Sequence, residues 1–165
     1  MIETVNGKTP VWGERCFVAA NATLAGDIVM GDDCSIWYGA VLRADVDAIR
    51  LGNRVNVQDN ACLHQSHGCP VVVEDDASIG HGAIVHAATI RQGALVGMNA
   101  VVLDGADIGP GAIVAAGAVV LAGTQVGEGE LWAGVPARLV KRGDAAKARE
   151  YAAHYMYIKE WYRTE

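Results

Sequence analysis

Four of the five histidines in this 165-residue chain fall between Asn56 and His86, in the stretch NVQDNACLHQSHGCPVVVEDDASIGHGAIVH. Imidazole carries protons near neutral pH and ligates metals through either ring nitrogen. His64, His81 and His86 stand there beside Gln58 and Asp59, with Arg43 and Asp45 shortly upstream. Basic, acidic and metal-ligating groups are therefore dense in one short stretch. Their chemistry depends on which of them the scaffold brings together.

The scaffold is legible as an internal repeat. Apolar residues recur six apart at Trp12, Val18, Leu24, Met30, Ile36 and Leu42. The series resumes at Leu51, Val57 and Leu63 after a shift of three, and at Val73, Ile79 and Val85 after a shift of four. One residue is then lost, and Ile90, Val96, Val102, Ile108, Val114, Val120 and Val126 follow at strict spacing. Four residues after each apolar position the residue is usually small, as at Cys16, Ala22, Cys34, Ala40, Ala61 and Ala83. A period of six fits neither an amphipathic helix nor a long alternating strand. It fits a coil of three short strands, with backbone hydrogen bonds between coils stacked about 4.8 Å apart. The 18 apolar positions from Val18 to Val126 give about six coils. The pattern resembles the left-handed parallel β-helix of hexapeptide-repeat proteins, and the handedness is what that resemblance implies. The expected fold is all-β over residues 1–140, with a C-terminal helix over 141–165 packed on the coils or on a neighbouring subunit. Leu131 to Arg138 reads as the exit from the coils. Asp144 reads as a helix N-cap, and Tyr151, Tyr155, Ile158 and Tyr162 as one helix face.

The repeat converts spacing into geometry. His64 follows Leu63 and His86 follows Val85, and 22 residues separate the two histidines, one coil of 18 plus the four-residue insertion. Arg43 follows Leu42, so Arg43, His64 and His86 form one outward column. His81 lies two after Ile79, on another side of the coil, with Asp59 one coil below it. Two histidines on one side and a third on another predict a site completed between subunits, as a cyclic trimer does. Three histidines with a fourth position open to water is the pattern of a catalytic zinc site. His67 and His154 read as loop and helix surface.

Composition excludes other classes. A formal charge of -6 argues against nucleic acid as a partner, because phosphate binding needs a basic face. No apolar run approaches the roughly 18 to 20 residues of a membrane span, and no basic-then-apolar leader is present, so a cytoplasmic protein is expected. Cys16, Cys34, Cys62 and Cys69 form no CxxC pair and are expected as buried free thiols.

The segments VLRAD (Val41 to Asp45), NVQDN (Asn56 to Asn60), Leu63-His64 and GHGAIVH (Gly80 to His86) together resemble the gamma-class carbonic anhydrases over roughly residues 10 to 140. The resemblance implies a homotrimeric zinc lyase, with iron or cobalt as other metals, that hydrates CO2 reversibly to bicarbonate. It implies His64, His81 and His86 as ligands, with His81 given by the adjacent subunit. Arg43, Asp45 and Asp59 would form an ion-pair network at the interface, and Gln58 would hydrogen-bond the activated solvent. A tyrosine of the terminal helix is implied near the site, and Tyr151 is the candidate. The family's longer acidic loop is replaced here by Gln65-Ser66-His67-Gly68-Cys69-Pro70, which holds no carboxylate; His67 is the nearest group for a proton relay. Three alternatives on the same scaffold stay open: a metal-dependent acyl-CoA thioesterase, a coenzyme A-dependent acyltransferase and a catalytically silent relative.

Overall fold

The structure, a computed structural model, describes residues 1–143 and 145–162. Its strands are mostly two or three residues long, because each side of a coil offers room for one inward residue before the chain turns. One face stacks Phe17–Val18, Ser35–Ile36, Asn56–Val57, Ser78–Ile79, Leu95–Val96, Ile113–Val114 and Glu130–Ala133 in parallel register. The other two faces are joined at the base by long strands, Thr23–Met30 and Val41–Leu51, which run round the corner between them. Seven rungs result on each of the three faces. The count exceeds the six coils expected because Ile2 adds a rung below Leu24, Trp12 one below Met30 and Trp132 one above Val114.

The repeat residues are the core. Leu24, Ile36, Leu42, Val57, Leu63 and Ile79 have no exposed surface, and each such side chain contributes about 1.5–3 kcal/mol by leaving water. Small residues at the corners, including Cys34 and Ala61, are equally buried. All four cysteines are free, as expected, but only Cys34 is fully buried. Cys16, Cys62 and Cys69 are half-buried, because they lie at the end of the stack, on an outward strand position and in a loop. The coils close at the top with the antiparallel pair Glu130–Ala133 and Arg138–Arg142, which caps the last parallel edge.

Helix α1 (Ala145–Ile158), continued by the 3-10 turn Lys159–Trp161, packs back down the first face against Ser78–Ile79 and Leu95–Val96. Its phase differs from the expected one. Ala148, Ala152, Tyr155 and Lys159 face the coils, whereas Tyr151 is 48% exposed. Alanines let the helix approach closely, and Lys159 finds acceptors that spacing alone does not reveal. Its ammonium is buried and donates to the Arg15 carbonyl (2.7 Å) and Asp33 Oδ1 (2.9 Å). The Arg15 guanidinium first, and Lys159 with it, hold the Asp33 carboxyl down at about 2, against the desolvation that opposes them. Tyr155 and Tyr162 add edge-on contacts to Trp37 at 5.4 and 5.1 Å between ring centres. The expected N-cap, Asp144, lies outside the described residues.

Candidate functional site

Alternation along Cys62–His64 turns Leu63 inward and His64 outward, and Ile84–His86 does the same one rung higher. Arg43, His64 and His86 are direct partners across adjacent rungs, as the repeat arithmetic requires. The imidazoles of His64 and His86 lie 5.1 Å apart between centres, and His64 Nδ1 is 3.0 Å from His86 Nε2.

The outer nitrogens of this pair are committed. His64 Nε2 donates to Asp45 Oδ1 (3.1 Å), and His86 Nδ1 donates to Asp104 Oδ1 (2.6 Å). Burial pushes the Asp45 carboxyl up, but Arg43 and His64 together hold it below the usual carboxylate range. The Ser66 hydroxyl first, then His86, hold Asp104 below it too. Both carboxylates are therefore acceptors only. With each outer nitrogen protonated, the inner Nδ1 and Nε2 both present lone pairs, 3.0 Å apart. Two lone pairs so placed can share one metal ion. Ligand nitrogens around a tetrahedral zinc lie roughly 3.3 Å apart. The pair therefore fits a divalent ion, and carboxylates on the outer nitrogens are the arrangement that orients metal-binding histidines.

His81 is presented separately. It sits in the turn after Ser78–Ile79, between Gly80 and Gly82. Gly82 has φ +66°, and a Cβ there would stand 2.3 Å from Asn99 Oδ1. His81 Nδ1 meets Asp59 Oδ2 at 2.8 Å, which confirms the vertical pairing of Asp59 and His81 read from the sequence. The Tyr155 hydroxyl, pushed up to about 12 by burial and then by Asp59, donates to His81 Nε2 at 3.3 Å. All three histidines thus have one nitrogen on an aspartate. Among the described residues of the single chain, no three such ligands converge.

Gln58 is buried and held at both ends. Its Nε2 donates to Asn56 Oδ1 (3.0 Å), and its Oε1 accepts from the His81 backbone N–H (3.2 Å). Asn56 in turn donates to Ser78 Oγ (2.7 Å). Gln58 and His81 open on an apolar cavity of about 320 Å³, lined also by Met98, Ile113, Tyr151, His154 and Tyr155. His154 is exposed as expected but reaches this cavity. His67 is exposed on a second cavity of about 330 Å³, beside Asp45 and Asp47. Arg43 pairs with Asp45 of its own chain.

Sequence reasoning missed Asp104: the coil above His86 is one residue short, so the repeat brings Leu103 into the histidine column and leaves Asp104 one place beyond it. Ser66 lies in an off-repeat loop and gave no signal. Tyr155, not Tyr151, is the helix tyrosine that touches a histidine, a consequence of the helix phase.

The chain is 47% identical to a probable carbonic anhydrase of Methanocaldococcus jannaschii over 146 residues, 87% of this chain and 92% of the relative. The chain belongs to the gamma carbonic anhydrase family. It is also 45% identical over 106 residues, 64% of this chain, to a carbonic anhydrase of Geobacillus kaustophilus. This family member spans 58% of the length of that protein, and about half of the mitochondrial gamma carbonic anhydrases 1 and 2 of Arabidopsis thaliana. The family model for bacterial transferase hexapeptide (six repeats) matches residues 87–122. A hexapeptide transferase family protein of Anaplasma phagocytophilum superposes with a TM-score of 0.94 at 36% identity, covering 98% of both chains. The fold is the left-handed parallel β-helix of that superfamily.

Proposed function

We propose that the protein is a metal-dependent carbonic anhydrase of the gamma class, interconverting CO2 and bicarbonate at sites shared between three copies of the chain. The observation that carries the reading is the His64–His86 pair, whose facing nitrogens stand 3.0 Å apart while aspartates hold the outer ones. His64 and His86 of one copy and His81 of the next would hold zinc, iron or cobalt. Such an ion, when bound, supplies the Lewis acidity that makes water nucleophilic near pH 7.

The chain's own groups do the rest. Asp45, Asp104 and Asp59 fix the three imidazoles. The Gln58 amide keeps one N–H and one lone pair beyond its bonds to Asn56 and His81, enough to orient a small substrate in the cavity. The apolar wall of Met98 and Ile113 suits a nonpolar molecule such as CO2. The trimer is supported by an outward column of Val41, Cys62, Ile84, Val101 and Val119, in register on five rungs beside the histidine column. Ile84 is 42% exposed, and none of the five is fully buried in the single chain. An apolar stripe of that kind marks a contact surface.

The test is metal per chain on anaerobically purified protein together with stopped-flow CO2 hydration, on the wild type and His64→Ala. About one metal per chain, with hydration lost in the variant, is the expected result. A second reading, hydrolysis of an acyl thioester at the same centre, is favoured by the cavity volume, which exceeds what CO2 fills. Full metal content with thioester turnover and no hydration would decide for it.

A further inference from the structure

We infer that Asp104, oriented by Ser66, is a positioning residue of the metal centre that fixes the tautomer of His86. The inference rests on the reading of His64, His81 and His86 as ligands.

A neutral imidazole carries its proton on either nitrogen, and the hydrogen bond made by one nitrogen decides which lone pair is free. Were His86 protonated on Nε2, that proton would point at His64 Nδ1, and the two rings could not share an ion. Asp104 removes this choice, because its Oδ1 accepts from Nδ1 at 2.6 Å. The carboxylate is itself held from several sides. The Ser66 hydroxyl donates to Oδ2 at 2.6 Å. The Gly105 N–H binds the Ala87 carbonyl (2.7 Å), and the Asp104 carbonyl accepts from Gly123 N–H (2.8 Å), so the turn is tied to the rungs below and above. Ser66 is set by a compact loop, in which it is bridged to Cys69. The loop with no carboxylate of its own thus reaches, through Ser66, a carboxylate from 38 residues further along the chain. Asp104 does for His86 what Asp45 does for His64 and Asp59 for His81.

The experiment uses the full chain, stripped with chelator and then titrated. Zinc affinity is read by competition with a chromophoric chelator, and the ligand field by the visible absorption of Co2+. The expected result is a loss of zinc affinity of about 10- to 100-fold in Asp104→Ala, with an altered cobalt spectrum. Asp104→Asn, which keeps an acceptor oxygen at the same place, should recover most of the affinity, and Ser66→Ala should lose less than Asp104→Ala. Equal affinity and an unchanged spectrum in Asp104→Ala would overturn the inference and leave the three-histidine reading standing. If that variant does not fold, Asp104→Asn decides: an affinity as low as that of His86→Ala overturns the acceptor role. A wild-type chain that binds neither zinc nor cobalt would overturn the ligand reading, and this inference with it.

Discussion

At the scale of single residues, the proposed site is three imidazoles, each with one nitrogen on an aspartate and the other turned to an ion or a weaker partner. This predicts that His81→Ala loses metal while the fold holds. The side chain is 46% exposed and contributes no core packing, so its removal should cost only about 1 kcal/mol, for the lost bonds to Asp59 and Tyr155. Metal analysis and thermal melting of the same preparation check both halves; a retained metal would sink the assignment of His81 as a ligand. Much of this scale was legible in the sequence. The positions of Arg43, His64 and His86, and of Asp59 beneath His81, follow from counting, because in a coil of fixed length register is arithmetic. Hydrogen bonds that cross between a loop and a rung, such as Ser66 to Asp104, were not legible, since no period relates their positions.

At the scale of elements, the terminal helix is held to the β-helix by a buried ion pair and aromatic edges. Asp33 supplies a pH dependence with a definite sign. Its ordinary value is 3.8 and its folded value about 2, held there first by Arg15 and then by Lys159, so it stabilises the fold fully above roughly pH 4 and loses that contribution, the Lys159 share that docks the helix included, as pH falls through 2. Trp37 fluorescence, which reports Tyr155 and Tyr162 packing, should change over that acid window and stay flat from neutrality down to its upper edge. A transition centred well above pH 4 would mean that another group holds the helix. Lys159→Met should weaken docking by about 1–3 kcal/mol, because the Arg15 carbonyl and Asp33 lose a buried partner; unchanged protease sensitivity of residues 145–162 would count against it. The helix itself was legible, but its phase was not. Tyr151, Tyr155, Ile158, Tyr162 and Ala148, Ala152, Tyr155, Lys159 share one spacing. The choice between them was made by acceptors 126 and 144 residues distant in sequence.

At the scale of the whole molecule, rungs stack so closely that some positions admit no side chain. A Cβ at Gly97 would stand 2.6 Å from the Ala116 nitrogen. Gly97→Ala should therefore cost about 1–3 kcal/mol through displaced backbone, and an unchanged melting temperature would show that the stack is looser than its geometry. Ile84→Glu places a charge in the outward apolar column and should break the proposed trimer into monomers in sedimentation at low concentration. If the variant sediments as the wild type does, that column is not the contact. Fold class was legible in full, because eighteen apolar positions at one period leave few architectures. The association of copies is the part that one chain cannot contain.

The helix that descends the first face also acts as a calliper on the height of the stack. The chain leaves the coils at the top, yet Lys159 must grip Arg15 and Asp33 near the bottom. The 11 residues from Ala148 to Lys159 cover about 16 Å of helix, a little over three rungs at about 4.8 Å each. One extra coil inserted above His86 would raise the upper jaw by a rung and leave the lower one short of its lysine socket. About three more helical residues would restore the grip. The number of coils and the length of the helix are therefore gauged against each other, and neither can drift alone without releasing the tyrosine that rests on His81.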